Sequence, residues 1–176
     1  MLLWGRDFAT STDQASVLRM SLEGGIVDWS YTFEDGTYMA DITQKPGQDV
    51  IHGCGYGSSN SIIFRLDTNR GDVKWINQVG SGVTEKCRGI VDWKDTSTGA
   101  DLLVTLIESD GGTAFGGVTT GYKDAILMII DMSGDVLRAQ QLSLKSAAMT
   151  ISDGAFIRFG NSFYFAGEAQ GFTTKL

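Results

Sequence analysis

The chain has 176 residues, 42% of them apolar and 20% charged, which describes one folded domain with a real core and excludes a disordered polymer. A formal charge of −7 and a pI near 4.6 argue against a nucleic-acid or anionic-membrane surface, whose affinity rests on Lys and Arg. Twenty-three glycines against one proline predict many turns, nearly all made by glycine.

In chain order, Leu2-Leu3-Trp4-Gly5 reads as a strand, as does Val17-Leu18-Arg19-Met20. A turn at Glu23-Gly24-Gly25 then leads to Ile26-Val27-Asp28-Trp29. A second group opens with Tyr38 to Thr43, turns at Lys45-Pro46-Gly47-Gln48 and continues through Val50-Ile51-His52-Gly53. Its last hairpin is the clearest of the chain. Ile62-Ile63-Phe64-Arg65-Leu66 is β-branched and aromatic, Asp67-Thr68-Asn69-Arg70-Gly71 is turn chemistry, and Val73-Lys74-Trp75-Ile76-Asn77 alternates. The third group repeats the order: Cys87 to Trp93, a turn at Thr96-Ser97-Thr98-Gly99, Leu102 to Leu106, Ala125 to Asp131, a turn at Met132-Ser133-Gly134, and Asp135 to Gln140. Within it, Glu108 to Lys123 is a long glycine-rich loop of the kind that is often functional. Leu142 to Ser152 is a less regular entry to Gly154–Phe159, followed by a turn at Gly160-Asn161, then Tyr164–Gly167 and a cut last strand, Thr173–Leu176.

Met20, Leu66, Ile130 and Leu176 are equivalent on this phasing, at spacings of 46, 64 and 46 residues. Arg19, Arg65 and Lys175 then coincide, as do Trp29 and Trp75, and Arg138 breaks the tryptophan column. A period in the forties built of short strands is the mark of propeller blades, with a β-sandwich as the alternative. The expected fold is therefore all-β: β-propeller blades of four antiparallel strands, about three and a half of them, in one segment spanning 1–176. The partial blade 1–36 is followed by blades 37–82 and 83–142 and by a second partial blade, 143–176. Fourteen strands are expected, without a first strand in the first blade or a fourth in the last.

No stretch approaches the apolar length of a membrane span, and Met1-Leu2-Leu3-Trp4 meets Arg6 and Asp7 too soon to form a signal-peptide core. None of Asn60, Asn69, Asn77 and Asn161 begins an Asn-x-Ser/Thr site. These features assign no compartment.

Candidate chemistry is sparse. Asp67 to Asp72 and Asp131 to Asp135 place oxygens at spacings that can hold calcium, but the bidentate Glu that closes such a loop is missing, and turn chemistry explains the same residues. Arg70-Gly71-Asp72 spells an integrin-type tripeptide whose Gly and Asp the turn already accounts for. His52, the one histidine, reads as packing without a charged partner, and a lone histidine excludes a multi-His or Cys/His metal site. Cys54 and Cys87 read as two buried free thiols. Gly53-Cys54-Gly55-Tyr56-Gly57 reads as a loop, with no helix after it to cradle a phosphate. The positions on the first strand of each unit, Ala40, Asp41, Arg88, Gly89, Gly154 and Ala155, offer little convergent polarity for an enzyme. Trp4, Trp29, Trp75 and Trp93 are read as packing between blades in preference to a sugar-stacking face. No catalytic, cofactor-binding or metal residue is assigned, and no cofactor is expected.

The repeat resembles the bacterial-type (SBBP) β-propeller repeat proteins. Tyr164-Phe165-Ala166-Gly167, Gly121 to Asp131 and Asp67 to Trp75 carry the likeness, and Leu66-Asp67, Gly71 and Trp75 are also similar to quinoprotein-like repeats. That resemblance implies a propeller with a structural or protein-interaction role as scaffold. The alternatives are a fragment of a propeller enzyme, quinoprotein-like or glycan-cleaving, and a lectin-like carbohydrate-binding surface. The implied partners are other protein chains or further blades of the same polypeptide, with no nucleic acid and no membrane insertion.

Overall fold

The structure, a computed structural model, describes residues 2–7, 14–80, 83–110, 123–142 and 148–170. Four antiparallel sheets follow one another along the chain. The first holds β1 (Leu2–Asp7), β2 (Gln14–Met20) and β3 (Val27–Asp35). The second holds β4 (Thr37–Thr43), β5 (Val50–Gly57), β6 (Asn60–Asp67) and β7 (Val73–Val79). The third holds β8 (Glu85–Lys94), β9 (Asp101–Ser109), β10 (Asp124–Asp131) and β11 (Val136–Leu142), and the fourth β12 (Ala148–Phe159) and β13 (Ser162–Gln170). The described residues contain no helix, so the all-β class and the four-stranded antiparallel unit are both present. The expected strand at Thr173–Leu176 lies outside the described residues, as does most of the loop Glu108–Lys123.

Two local expectations are corrected. Gly53 to Gly57 is strand, not loop: it forms the end of β5. Its glycines make room for neighbours, because a Cβ at Gly53 would sit 2.2 Å from the Phe64 ring paired opposite. A Cβ at Gly55 would run into the Tyr38 carbonyl. The last sheet starts earlier than Gly154, at Ala148, because alternation in Ala148-Met149-Thr150-Ile151 buries Met149 and Ile151.

The sheets pack face to face in chain order. Ala15, Val17 and Phe33 of the first meet Ile51, Phe64 and Leu66 of the second. Ala40, Cys54 and Ile63 of the second meet Cys87, Ile90 and Leu103 of the third. Val104, Leu106 and Ala125 of the third meet Met149, Ile151 and Phe156 of the fourth. The inner strands of the middle sheets are thus covered on both faces, which explains why Ile62-Ile63-Phe64 is a continuous apolar run and Leu102 to Ile107 is apolar except at Thr105. The fourth strands, β7 and β11, are largely exposed and alternate.

One extra residue interrupts three equivalent hairpins. Arg19 pairs with Trp29, Arg65 with Trp75 and Ile129 with Arg138, and the register then slips by one before the turn. Such a bulge sharpens the local twist and re-aims the side chains beside it. Gly71 (φ 74°) and Gly134 (φ 96°) sit in the turns in the left-handed region that favours glycine.

Candidate functional site

A cleft of about 560 Å³ opens where β4, β8 and β12 come together. These are the first strands of their sheets, and each is interrupted at the same place: at Ala40, at Arg88, and over Ser152–Ala155. A bulge turns a side chain out of the pleat, so the positions singled out as thin in polarity are those the backbone redirects.

On the cleft wall β4 and β8 exchange polar bonds. Asp41 Oδ2 accepts the Ile90 N–H at 3.1 Å, and Thr43 Oγ1 donates to Asp92 Oδ2 at 2.9 Å. The residues are two apart on each strand and so share a face. Burial pushes the Asp41 carboxyl above its ordinary value, against the pull of the Ile90 and Ile42 backbone bonds. Lys45 binds Asp101 at 2.5 Å nearby, which holds the Asp101 carboxyl below its usual range.

His52 stands behind this wall, fully buried, its ring 6.3 Å from Trp75. It does have an acidic neighbour, contrary to expectation: Nδ1 lies 3.4 Å from Asp92 Oδ1. Asp92 comes from the next sheet, so no spacing in the sequence announced the pair. The order of groups is wrong for a nucleophilic triad. Thr43, paired with His52 across β4 and β5, bonds the Asp92 carboxylate directly, and neither imidazole nitrogen bonds the hydroxyl. His52 is thus a buried ring packed beside an acid.

At the other end of the same strands, Arg88 reaches Asp153 at 2.6 Å and Glu108 at 3.3 Å. Glu108, 3% exposed, also accepts the Ile151 N–H at 3.0 Å and faces Lys123 at 3.4 Å. Burial alone would raise its pKa, but the Ile151 bond and the two cations outweigh it and hold the carboxyl below its usual value. Tyr38 and Tyr56 stack at 5.0 Å, and the Lys86 and Arg88 cations lie 5.1 and 5.5 Å from the Tyr56 ring centre. Burial and then Asp153 raise the Tyr56 hydroxyl. Asp92 and Asp153 were not singled out from sequence, and Tyr56 and Glu108 entered only as members of supposed loops; Arg88 and Asp41 were weighed, and neither carried a visible partner.

The remaining candidates have structural work. Cys54 and Cys87 are joined in a disulfide between β5 and β8, with Cα atoms 5.8 Å apart, which corrects the free-thiol reading. One cysteine lies on the second strand of a sheet and the other on the first strand of the next, so stacking brings together residues 33 apart. Asp67 accepts the Asn69 and Arg70 N–H groups, and Asp131 those of Ser133 and Asp135. The Asn69 bond and then Lys74 draw the Asp67 carboxyl down. These oxygens serve their own turns. Gly71, centre of the integrin-type tripeptide, is covered by the preceding sheet: a Cβ there would lie 2.6 Å from the Trp29 ring.

Trp29 Nε1 and Arg19 Nη1 both donate to the Thr68 carbonyl, each at 2.9 Å. Trp75 Nε1 and Arg65 Nη1 donate to the Met132 carbonyl at 3.1 and 2.9 Å. Each tryptophan therefore clamps the turn of the next sheet. Trp93 packs edge-on against Phe163, 6.1 Å away in the fourth sheet, while the Trp4 side chain is outside the described residues.

No protein-family model matches the chain, and no curated protein matches it.

Proposed function

We propose that the chain is a run of β-propeller blades that serves as a structural and protein-interaction scaffold, not a catalyst. One observation carries this reading: the polar groups on and beside the first strands bond neighbouring strands. Asp41 holds the Ile90 backbone, Asp92 takes the Thr43 hydroxyl, and Glu108 joins Arg88 to the Ile151 backbone. A general acid or base must reach substrate, and these carboxylates are engaged in joining sheets. Wherever the repeat keeps Arg and Trp, the same clamp reaches the following turn, which is how a blade fixes its neighbour.

The surface offered to a partner is the far face of the fourth sheet. Ile157, Phe159 and Tyr164 are 60%, 78% and 52% exposed there. Each earlier sheet buries the corresponding face against the sheet that follows, so the fitting occupant is a further sheet of this repeat. In a solution of the purified chain, a second copy would supply it. Light scattering after size exclusion should show association that grows with concentration, and Ile157→Lys with Phe159→Ser should abolish it. A monodisperse monomer at every concentration would overturn this reading.

A further inference from the structure

Two of the three seams between sheets are closed differently. Between the second and third sheets the Trp75–Arg65 clamp is reinforced by the Cys54–Cys87 disulfide and by Asn77 Nδ2, which donates to the Gly134 carbonyl at 2.8 Å. Between the first and second sheets Tyr31 occupies the position of Asn77, two residues after the clamping tryptophan. No disulfide crosses that seam among the described residues. There a cleft of about 330 Å³ stays open, within the range of roughly 300–1,000 Å³ typical of small-ligand sites.

Its polar lining has one character. Tyr31, Thr37 and Ser58 bring hydroxyls, Asn60 and Gln78 bring amides, and Glu34 brings the one carboxylate; Lys, Arg and His are absent from the wall. Phe33, Ile62 and Ile76 supply apolar surface between them. Tyr31 is fixed edge-on against Phe33 (4.8 Å, 82°), and Phe33 rests on Phe64 at 4.9 Å, so the aromatic wall is formed before any ligand arrives. Ser58, with φ 53°, is the one non-glycine residue at positive φ among the described residues, and it sits at the cleft mouth.

We propose that this inter-sheet cleft binds a neutral polyhydroxylated ligand, a single sugar unit. Amides and hydroxyls both donate and accept, as a ring of sugar hydroxyls requires, while Tyr31 and the isoleucines meet the C–H face. An anion would meet Glu34 with no cation to offset it. A purely apolar ligand would leave the amides desolvated without partners. The site is separate from the cleft on β4, β8 and β12, and the proposal does not rest on the scaffold reading.

The test is a titration of the ¹⁵N-labelled chain with the methyl glycosides of glucose, galactose, mannose and fucose, and with inorganic phosphate as the anionic control. Each probe is taken to about 50 mM, well above a millimolar dissociation constant. At least one glycoside should shift the amide signals of Tyr31, Thr37, Asn60 and Gln78, and phosphate should not. Gln78→Leu, on an exposed strand position that leaves the fold intact, should weaken binding roughly five- to ten-fold by losing one hydrogen-bonding group. Gln44→Leu in the other cleft should leave it unchanged. No shift with any glycoside, shifts centred on Asp41 and Asp92, equal affinity in Gln78→Leu, or a stronger response to phosphate would each overturn the proposal.

Discussion

The indole N–H of Trp75 donates to the carbonyl of Met132, 3.1 Å away in the turn of the following sheet. Arg65, paired with Trp75 across the hairpin, reaches the same oxygen. Two donors from one sheet thus satisfy both lone pairs of one carbonyl in the next, and Arg19 with Trp29 repeats the device at Thr68. The third sheet has Ile129 and Arg138 at the paired positions, so it carries neither the aromatic ring nor the same donor pair.

Trp75→Ala should destabilise the chain by about 3–5 kcal/mol, since a large ring is lost from between two sheets. Trp75→Phe keeps most of the buried area and loses one hydrogen bond, about 0.5–1.5 kcal/mol. His52→Ala should cost less than Trp75→Ala, because its ring nitrogens hold no hydrogen bond inside the protein. Urea midpoints rank the three variants. Equal midpoints for Trp75→Ala and Trp75→Phe would remove the packing role assigned to the ring.

The Cys54–Cys87 bond closes a loop of 33 residues, for which chain entropy gives about 3–4 kcal/mol of stabilisation. The double variant Cys54→Ala/Cys87→Ala should unfold earlier by that amount while keeping its sheets. The native protein should not react with a thiol reagent until it is both denatured and reduced. Labelling of two thiols in the denatured but unreduced protein would refute the bond.

The strands and their hairpin turns were legible because they are local. Glycine in Asp67 to Gly71 and Met132 to Gly134, and β-branched runs such as Ile62 to Phe64, act within a few residues. What lay beyond reach was which sheet edge or face meets which. Asp92 meets His52 across sheets, and Glu108 meets Arg88 and Ile151 because a bulge redirects Arg88. Gly53 to Gly57 was misread because glycine marks turns, whereas here the Phe64 ring and the Tyr38 carbonyl occupy the space a side chain would need. The Arg19/Arg65 and Trp29/Trp75 columns were visible, but their shared carbonyl acceptor was not.

Asp41 and Glu108 should respond to pH with opposite signs. The folded pKa of Glu108 lies below its ordinary 4.5, so its contribution is present above that value and is lost as pH falls through the folded pKa. The folded pKa of Asp41 lies above 3.8, so the folded state holds its proton more tightly; its contribution is present below 3.8 and is lost as pH rises through the folded value. Glu108→Gln keeps an acceptor for Ile151 but breaks the ion pair, and should lower stability at neutral pH by about 1–3 kcal/mol. Asp41→Asn keeps an acceptor for Ile90 and removes a buried charge, and should raise stability at neutral pH with little effect near pH 4. Denaturation curves at the two pH values check both, and a loss of stability in both variants at neutral pH would contradict the assignment for Asp41.

Gly89 marks a close approach of the third and fourth sheets. A Cβ at this position would lie 2.4 Å from the Phe156 Cβ and 3.3 Å from its ring. Phe156 is 3% exposed and belongs to the apolar cluster that joins β12 to β9 and β10, so it has no solvent to swing into. Gly89→Ala must therefore displace β12 or push β8 out of register with β9. Overpacking of this kind costs about 1–3 kcal/mol. The fourth sheet, which shares no hydrogen-bonded ladder with the third, should yield first. Amide exchange in Gly89→Ala should accelerate across β12 and β13, including Ile151, whose N–H is held by Glu108, while β5 and β6 keep their protection. Acceleration spread evenly over all four sheets would mean that the fourth is not docked as a separate unit, and unchanged exchange in β12 would mean that Gly89 and Phe156 do not touch.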